Sequence, residues 1–417
     1  MNAPLTDLYP VLSPSFQTLE EALAYEAAPL PAWTKRVLSF DKRGWSRAQE
    51  LFSRQTMGLD RLLQAPPVQR LSRLYQFGSR DSPAICRPEL FVLAQEHGRT
   101  MHTFRHTRLM HSTQVAATNL SIGICLGLPD AALLVLVCAG LLHDVGHSVE
   151  SHYGDELLMH WGRAGHEARG KAIVVGSPSI RDPFERLGVS CADVLHAIDE
   201  VGGLGSLQKI SDTLAYLGAD GRLVGWPLPE GFVERLIRSI KSVDNQGIHV
   251  HDPAPMLALL ERRAHMWRGL YHSARSQRAG GAYRLVLQEL DARGLFDRRS
   301  LENGDDLSFH SLLRTRLSLH RLSAHVPAWI DAYLRLADMD FSLVDRERVE
   351  VVVDADAARA LMSDLQRLDE KPFLLEPQRY TRKSYNVWHE GEPGTLRAPD
   401  SLLAPEDKQF RVVWYPV

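Results

Sequence analysis

The stretch LLHDVGHSVESHYGD, Leu141 to Asp155, carries His143, His147 and His152 with Asp144 and Asp155 inside thirteen residues. Imidazoles and carboxylates are ligands for divalent cations, and they carry protons near neutral pH. A cation held this way, with positions left open, can activate water and polarise a phosphoryl oxygen. Neighbours on a helix point about 100° apart, so His143 and Asp144 share an ion only where the chain bends. Gly146, two residues on, gives the backbone that freedom. A third ligand must come from an adjacent buried helix. His111, in TRLMHS, begins the preceding helix, and antiparallel packing brings the start of one helix near the end of the next.

The order Arg-x-x-His-Ser, helical spacer, Leu-Leu-His-Asp-Val-Gly-His resembles the HD-domain phosphohydrolases, marked by His…His-Asp…Asp. It is similar in particular to the deoxynucleoside triphosphate triphosphohydrolase branch, which includes the animal SAM-and-HD-domain enzyme and bacterial dGTPase-like proteins. There the doublet continues as HDxGHxxxSHxxD, here His143, Asp144, Gly146, His147, Ser151, His152 and Asp155. His166-Glu167 stands for the His-Glu pair of the branch, and VQRLSRLYQFG for its QRLxxxxQxG element, with Gln69, Arg70, Leu71, Gln76 and Gly78. The resemblance spans residues 45–290. It implies a fourth ligand from an aspartate helix. Asp212, with Tyr216 four and Asp220 eight residues later, is one candidate; Asp338, in LADMDFSLVD, is the other. Motif order favours Asp212, because the element with Arg263 and Tyr271 must follow the ligand.

The resemblance thus implies metal ligands His111, His143, Asp144 and Asp212 around one divalent ion (Mn, Fe, Co, Mg or Zn), with room for a second Mg accompanying a triphosphate. Its catalytic set is His147, oriented by Asp155 and assisted by His166. Arg108, His152 and Arg263 face the phosphates, and a triphosphate of about four negative charges needs such donors. Gln76, Tyr216, Asp220 and Tyr271 hold the sugar and base. Thr213 occupies the place of a customary Lys, which removes one phosphate contact. The implied activity is hydrolysis of dNTPs to deoxynucleoside and triphosphate. Alternatives are an HD enzyme for a monophosphate, cyclic nucleotide or alarmone, and a nucleotide-binding regulatory protein. By analogy, the partners are the nucleotide substrate, further copies of the chain and an allosteric nucleotide.

The elements that must position these residues read as mainly α-helical: an HD-type helical core with a small mixed α/β C-terminal region. Apolar residues run nearly all round 112–127 and 131–143, as in helices buried on most sides. Leu128-Pro129-Asp130 breaks them, with Asp130 placed to cap the second. Further helical segments are 45–78, 191–200, 206–217, 230–243, 255–278, 281–292 and 310–346. VEVVV at 349–353 and FRVVWYPV at 410–417 read as strands. The expected division is an N-terminal arm (1–44), the core (45–290) and a C-terminal region (291–417), with a loop or insertion at 79–106. His249, His251, His310, His320 and His325 have no ligand-like setting, and Glu200, Asp297, Asp305 and Asp306 read as loop or cap residues.

Composition bounds the rest. The 417 residues are 44% hydrophobic and 24% charged, ordinary for a globular chain. A net charge of −3 opposes a surface that coats nucleic acid. The four cysteines form no CxxC pair, which fits a reducing cytoplasm. MNAPLTDLYP has no signal-peptide pattern, and the apolar run 131–142 is too short to span a bilayer.

Overall fold

The computed structural model describes residues 42–76, 107–223 and 226–267, together with 271, 284, 287–288, 290–306, 308–309, 311–312, 315, 348–352, 355–367, 373–375, 384–390, 392–397 and 410–414. The insertion expected at 79–106, most of the helix expected at 310–346, and Asp338 lie outside the described residues.

The chain enters through α1 (Lys42–Leu63), α2 (Pro66–Arg70) and a 3₁₀ turn (Leu71–Arg73), then builds α3 (Arg108–Cys125) and α4 (Asp130–Leu142). Thr107 caps α3 by accepting from the Met110 amide at 3.2 Å. Pro129, rather than Asp130, stands at the N-cap position of α4, which has no side-chain cap. Asp130 is the first helical residue, where a negative charge suits the helix dipole, and its carboxylate pairs with Arg47 at 3.1 Å and Arg54 at 2.8 Å, both from α1.

The pair α3–α4 is antiparallel and close. The Asn119 side-chain amide donates to the Leu136 carbonyl at 2.8 Å. A Cβ on Gly140 would stand 2.6 Å from the Ala116 nitrogen, so only glycine permits the contact. That crossing sets the register of the chemistry: moving outward from it, α3 runs back to His111 while α4 runs forward to His143. Helix α3 is buried on both flanks because it lies between two cores. Leu109, Ala116 and Leu120 belong to one, with Leu59, Leu62, Leu71 and Leu141. Met110 and Ile122 belong to the other, with Leu214, Ile248 and Tyr385.

Short helices follow: α5 (Ser151–His160), α6 (His166–Gly176), α7 (Pro178–Leu187) and α8 (Cys191–Ile198). The long α9 (Gly202–Leu223) packs on α3, where Asn119 donates to Gln208. Helix α10 (Phe232–Ser239) ends where β1 (Ile240–Asp244) begins, and β1 pairs with β2 (Gly247–Val250) through a turn at Asp244–Gly247. The helix expected over 230–243 therefore stops early; Gly247 and the β-branched residues of IHV support a hairpin instead. Then come α11 (Ala254–Met266), α12 (Arg298–Asn303), β3 (Arg348–Val352), α13 (Ala355–Arg367), β4 (Phe373–Leu375), β5 (Ser384–His389), β6 (Glu392–Arg397) and β7 (Phe410–Trp414).

Two sheets form, in the orders β1-β2-β5-β6 and β3-β7-β4. In the first, β5 lies parallel to β2, so the C-terminal region completes a sheet begun within residues 45–290. Among the described residues no helix is long and apolar enough to cross a membrane.

Candidate active site

Four side chains from three elements meet where α4 ends. His111 Nε2 lies 3.0 Å from Asp212 Oδ1 and 3.3 Å from His143 Nε2. His143 Nε2 is 3.8 Å from Asp212 Oδ1 and 3.4 Å from Asp144 Oδ1, and Asp144 Oδ2 is 3.9 Å from His111 Nε2. Ligands about 2.0–2.2 Å from one ion stand about 3–3.5 Å apart; His111, His143 and Asp212 come close enough to share a single cation, and Asp144 stands beside them. The tautomer of His143 is set by its other nitrogen: Nδ1 lies 2.9 Å from the Gly140 carbonyl, which can only accept. Nε2 therefore carries the lone pair, directed at the cluster. Burial keeps His143 below the usual imidazole range, and so neutral. Burial alone would raise Asp144, but the Arg108 guanidinium and the imidazoles of His143 and His147 hold it well below the usual carboxylate range.

A second cluster adjoins the first. His147 Nε2 is 3.4 Å from Asp144 Oδ1, while His147 Nδ1 is 2.8 Å from Asp155 Oδ2. His166 Nδ1 reaches the same oxygen at 3.0 Å. Neither contact is a hydrogen bond: His147 Nδ1 and Asp155 Oδ2 are buried without a hydrogen-bond partner, and both contacts are close electrostatic ones. The rings of His147 and His166 stack, centroids 3.9 Å apart at 13°, and His152 meets both edge-on. The other oxygen of Asp155 accepts from Ser148 Oγ at 2.9 Å and from Arg169. Against the cost of burial, these two imidazoles hold Asp155 ionised far below its ordinary range. Burial, with Arg108 and His166, keeps His147 low, and thus neutral at pH 7.

The backbone makes this neighbourhood possible. A Cβ on Gly146 would sit 2.0 Å from the His166 carbonyl, so α6 rests directly on the turn after the His-Asp doublet. Arg169 ties the same two parts, donating to the Gly146 carbonyl at 3.0 Å.

The residues expected on the substrate side fall into two groups. Buried Arg108 donates to Asp144 Oδ2 at 2.6 Å, to the Gln76 carbonyl at 3.2 Å and to Ser151 Oγ; its Nε and Gln76 Oε1 are buried without hydrogen-bond partners. On and beside α9, the Tyr271 hydroxyl donates to Asp220 Oδ2 at 2.6 Å, Tyr216 meets the Tyr271 ring edge-on at 5.9 Å, and Arg263 stacks over Trp267. Burial raises the Asp220 carboxyl to about 7, against the pull of the Tyr271 hydrogen bond. Thr213 faces away from the cluster: it is buried and accepts from the Tyr385 hydroxyl at 3.1 Å.

Several supports carry no local signal in the sequence. Ser148 and Arg169 touch Asp155 but look like turn or surface residues; Ser151, which binds Arg108, entered only as a motif position. Arg70, quoted above only as part of a motif, donates to the carbonyls of Gly304, Val145 and His147. Of the acidic residues read as caps, Asp297 does cap, accepting from the Arg299 amide at 3.0 Å, but Asp306 is buried and binds two distant amides.

Residues 108–220 match the family model described as HD domain. The match opens on Arg108 at the start of α3 and closes on Asp220 in α9, so it contains every residue of both clusters. This part of the chain is an HD domain. The fold is similar to the crystal structure of a phosphohydrolase from Bacteroides thetaiotaomicron, with a TM-score of 0.57 and 15% identity over 86% of this chain and 96% of that one. No curated protein matches the sequence.

Proposed function

We propose that the protein is a metal-dependent phosphohydrolase that cleaves deoxynucleoside triphosphates to deoxynucleoside and inorganic triphosphate. The HD domain and the phosphohydrolase fold support the hydrolase class. The observation that carries the reading is the convergence of His111, His143 and Asp212, with Asp144 against both imidazoles, beside a neutral His147 that adjoins the Asp155 carboxylate. A divalent cation held by the four ligands would lower the pKa of water and polarise a phosphoryl oxygen. The protein supplies the remainder. Water attacks the α-phosphorus, the bond to the 5′-oxygen breaks, one proton leaves the water and one reaches that oxygen. His147 and His166, stacked on each other and sharing Asp155, hold and pass the proton. Arg108 offers phosphate oxygens its Nε, a donor that no protein group takes up. Tyr216, Asp220 and Tyr271 form the sugar end, where an aromatic ring under C2′ favours deoxyribose over ribose.

A second reading, an HD enzyme for a nucleotide with fewer phosphates, is favoured by Thr213, which turns a customary cationic position into the core. Incubating the protein with all four dNTPs, all four NTPs and the matching monophosphates, with Mn²⁺ and with Mg²⁺, separates the two. Inorganic triphosphate is the expected product; release of orthophosphate alone redirects the assignment. The expected homo-oligomer and allosteric nucleotide belong to the same proposal, and sedimentation with and without nucleotide tests them.

A further inference from the structure

Glu150 and Ser151 adopt φ of 61° and 56° in succession, a region that residues with side chains rarely occupy. Such backbone persists where its surroundings over-determine it. Here they come from a distant segment, 301–306, outside the HD-domain match. The Val149 amide donates to the Leu301 carbonyl at 3.0 Å, and Arg70 bridges Gly304 to Val145 and His147. Asp306, 1% exposed, accepts from the Glu150 amide at 2.8 Å through Oδ1 and from the Tyr75 amide at 2.6 Å through Oδ2.

Those two amides belong to the residues just before Ser151 and Gln76. Ser151 Oγ donates to the Gln76 carbonyl at 3.2 Å, and both oxygens accept from Arg108, whose other arm holds Asp144 at 2.6 Å. One carboxylate therefore fixes both acceptors that aim the guanidinium. The geometry points to Asp306 as a positioning residue: it holds the Glu150–Ser151 turn against Gln76 and thereby sets Arg108 on Asp144. The turnover part of this inference rests on the phosphohydrolase reading; the structural part does not.

Asp306→Ala removes both acceptors, and Asp306→Asn keeps one while setting an N–H against an amide. In the full chain, kcat on the best nucleotide, KM, Mn²⁺ affinity, thermal melting and amide exchange are measured for both. Misplacement of a substrate-orienting group costs about 10²-fold. That loss of kcat is expected for Asp306→Ala and a smaller one for Asp306→Asn, with KM and Mn²⁺ affinity retained and exchange accelerated at Val149–Ser151. A purely structural Asp306 would lower the melting temperature while kcat below it stays at the wild-type level; that result, or unchanged exchange in the turn, overturns the inference. Should the wild type cleave none of the nucleotides, the phosphohydrolase reading fails separately, and exchange at Val149–Ser151 alone decides whether Asp306 holds the turn.

Discussion

In the cluster of His111, His143, Asp144 and Asp212 the donor atoms face one another. In the cluster of His147, His152, Asp155 and His166 one carboxylate oxygen accepts from Ser148 and Arg169, and the other lies close to two imidazoles. His111, His143 and Asp212 of the first set, and all four residues of the second, have spacings that could hold a metal ion, yet their balance of charge differs. Two imidazole nitrogens 3.3 Å apart, one fixed as a lone pair, need a proton or a cation between them. Each cluster holds an aspartate paired with a guanidinium, Asp144 with Arg108 and Asp155 with Arg169, but the first sets a second carboxylate, Asp212, against two imidazoles, where the second sets one carboxylate against three. On the proposed reading, that balance of charge suits the first cluster to a dication and the second to protons.

The largest effect should come from His143→Ala. Bound metal, measured by elemental analysis, should fall away, and turnover should drop on the order of 10⁴-fold, because several kcal/mol of charge stabilisation are lost. His147→Ala should cost about 10³-fold while bound metal stays at the wild-type level; loss of metal in this variant would merge the two clusters into one site. Arg169→Ala should cost about 10- to 100-fold, as removal of an outer partner does, and added Mn²⁺ should then show whether the vacated carboxylate takes an ion.

A smaller effect is thermal. Asp220 titrates at about 7 when folded, against an ordinary 3.8. Between those values the folded chain binds the extra proton, so this contribution to stability is present below pH 4 and disappears as pH rises through about 7. Asp220→Asn should flatten that part of the melting-temperature profile between pH 5 and 8. Least of all, Tyr385→Phe should cost about 1 kcal/mol of stability, read by denaturant titration, with turnover little changed.

The helical core was legible because apolar residues run nearly all round α3 and α4 and a proline separates them. The His143-Asp144 doublet was legible because its residue types are costly to bury without a purpose, and the structure brings His111 and Asp212 to it. The β1–β2 hairpin was not, since FVERLIRSI runs into it with helical spacing and its β5 partner lies far along the chain. Helices α5 to α7 were not legible: they are short, interrupted by glycine and proline, and their histidines read first as chemistry. Arg169, Ser148 and Asp306 were illegible for one reason. Each acts through a contact between segments, and an isolated arginine, serine or aspartate looks the same whether it meets water or another side chain.

The parallel pairing of β5 with β2 has a consequence for how the protein is made. A ribosome emits α9, with Asp212 on it, long before it emits Tyr385, the residue whose hydroxyl seats Thr213 from behind. Until that strand arrives, the back of the aspartate helix lacks part of its cover, and a growing chain must shelter Leu214 and Ile248 by other means. Truncation between Ile248 and Ser384 should therefore release a chain prone to clumping even though its entire HD domain has been synthesised.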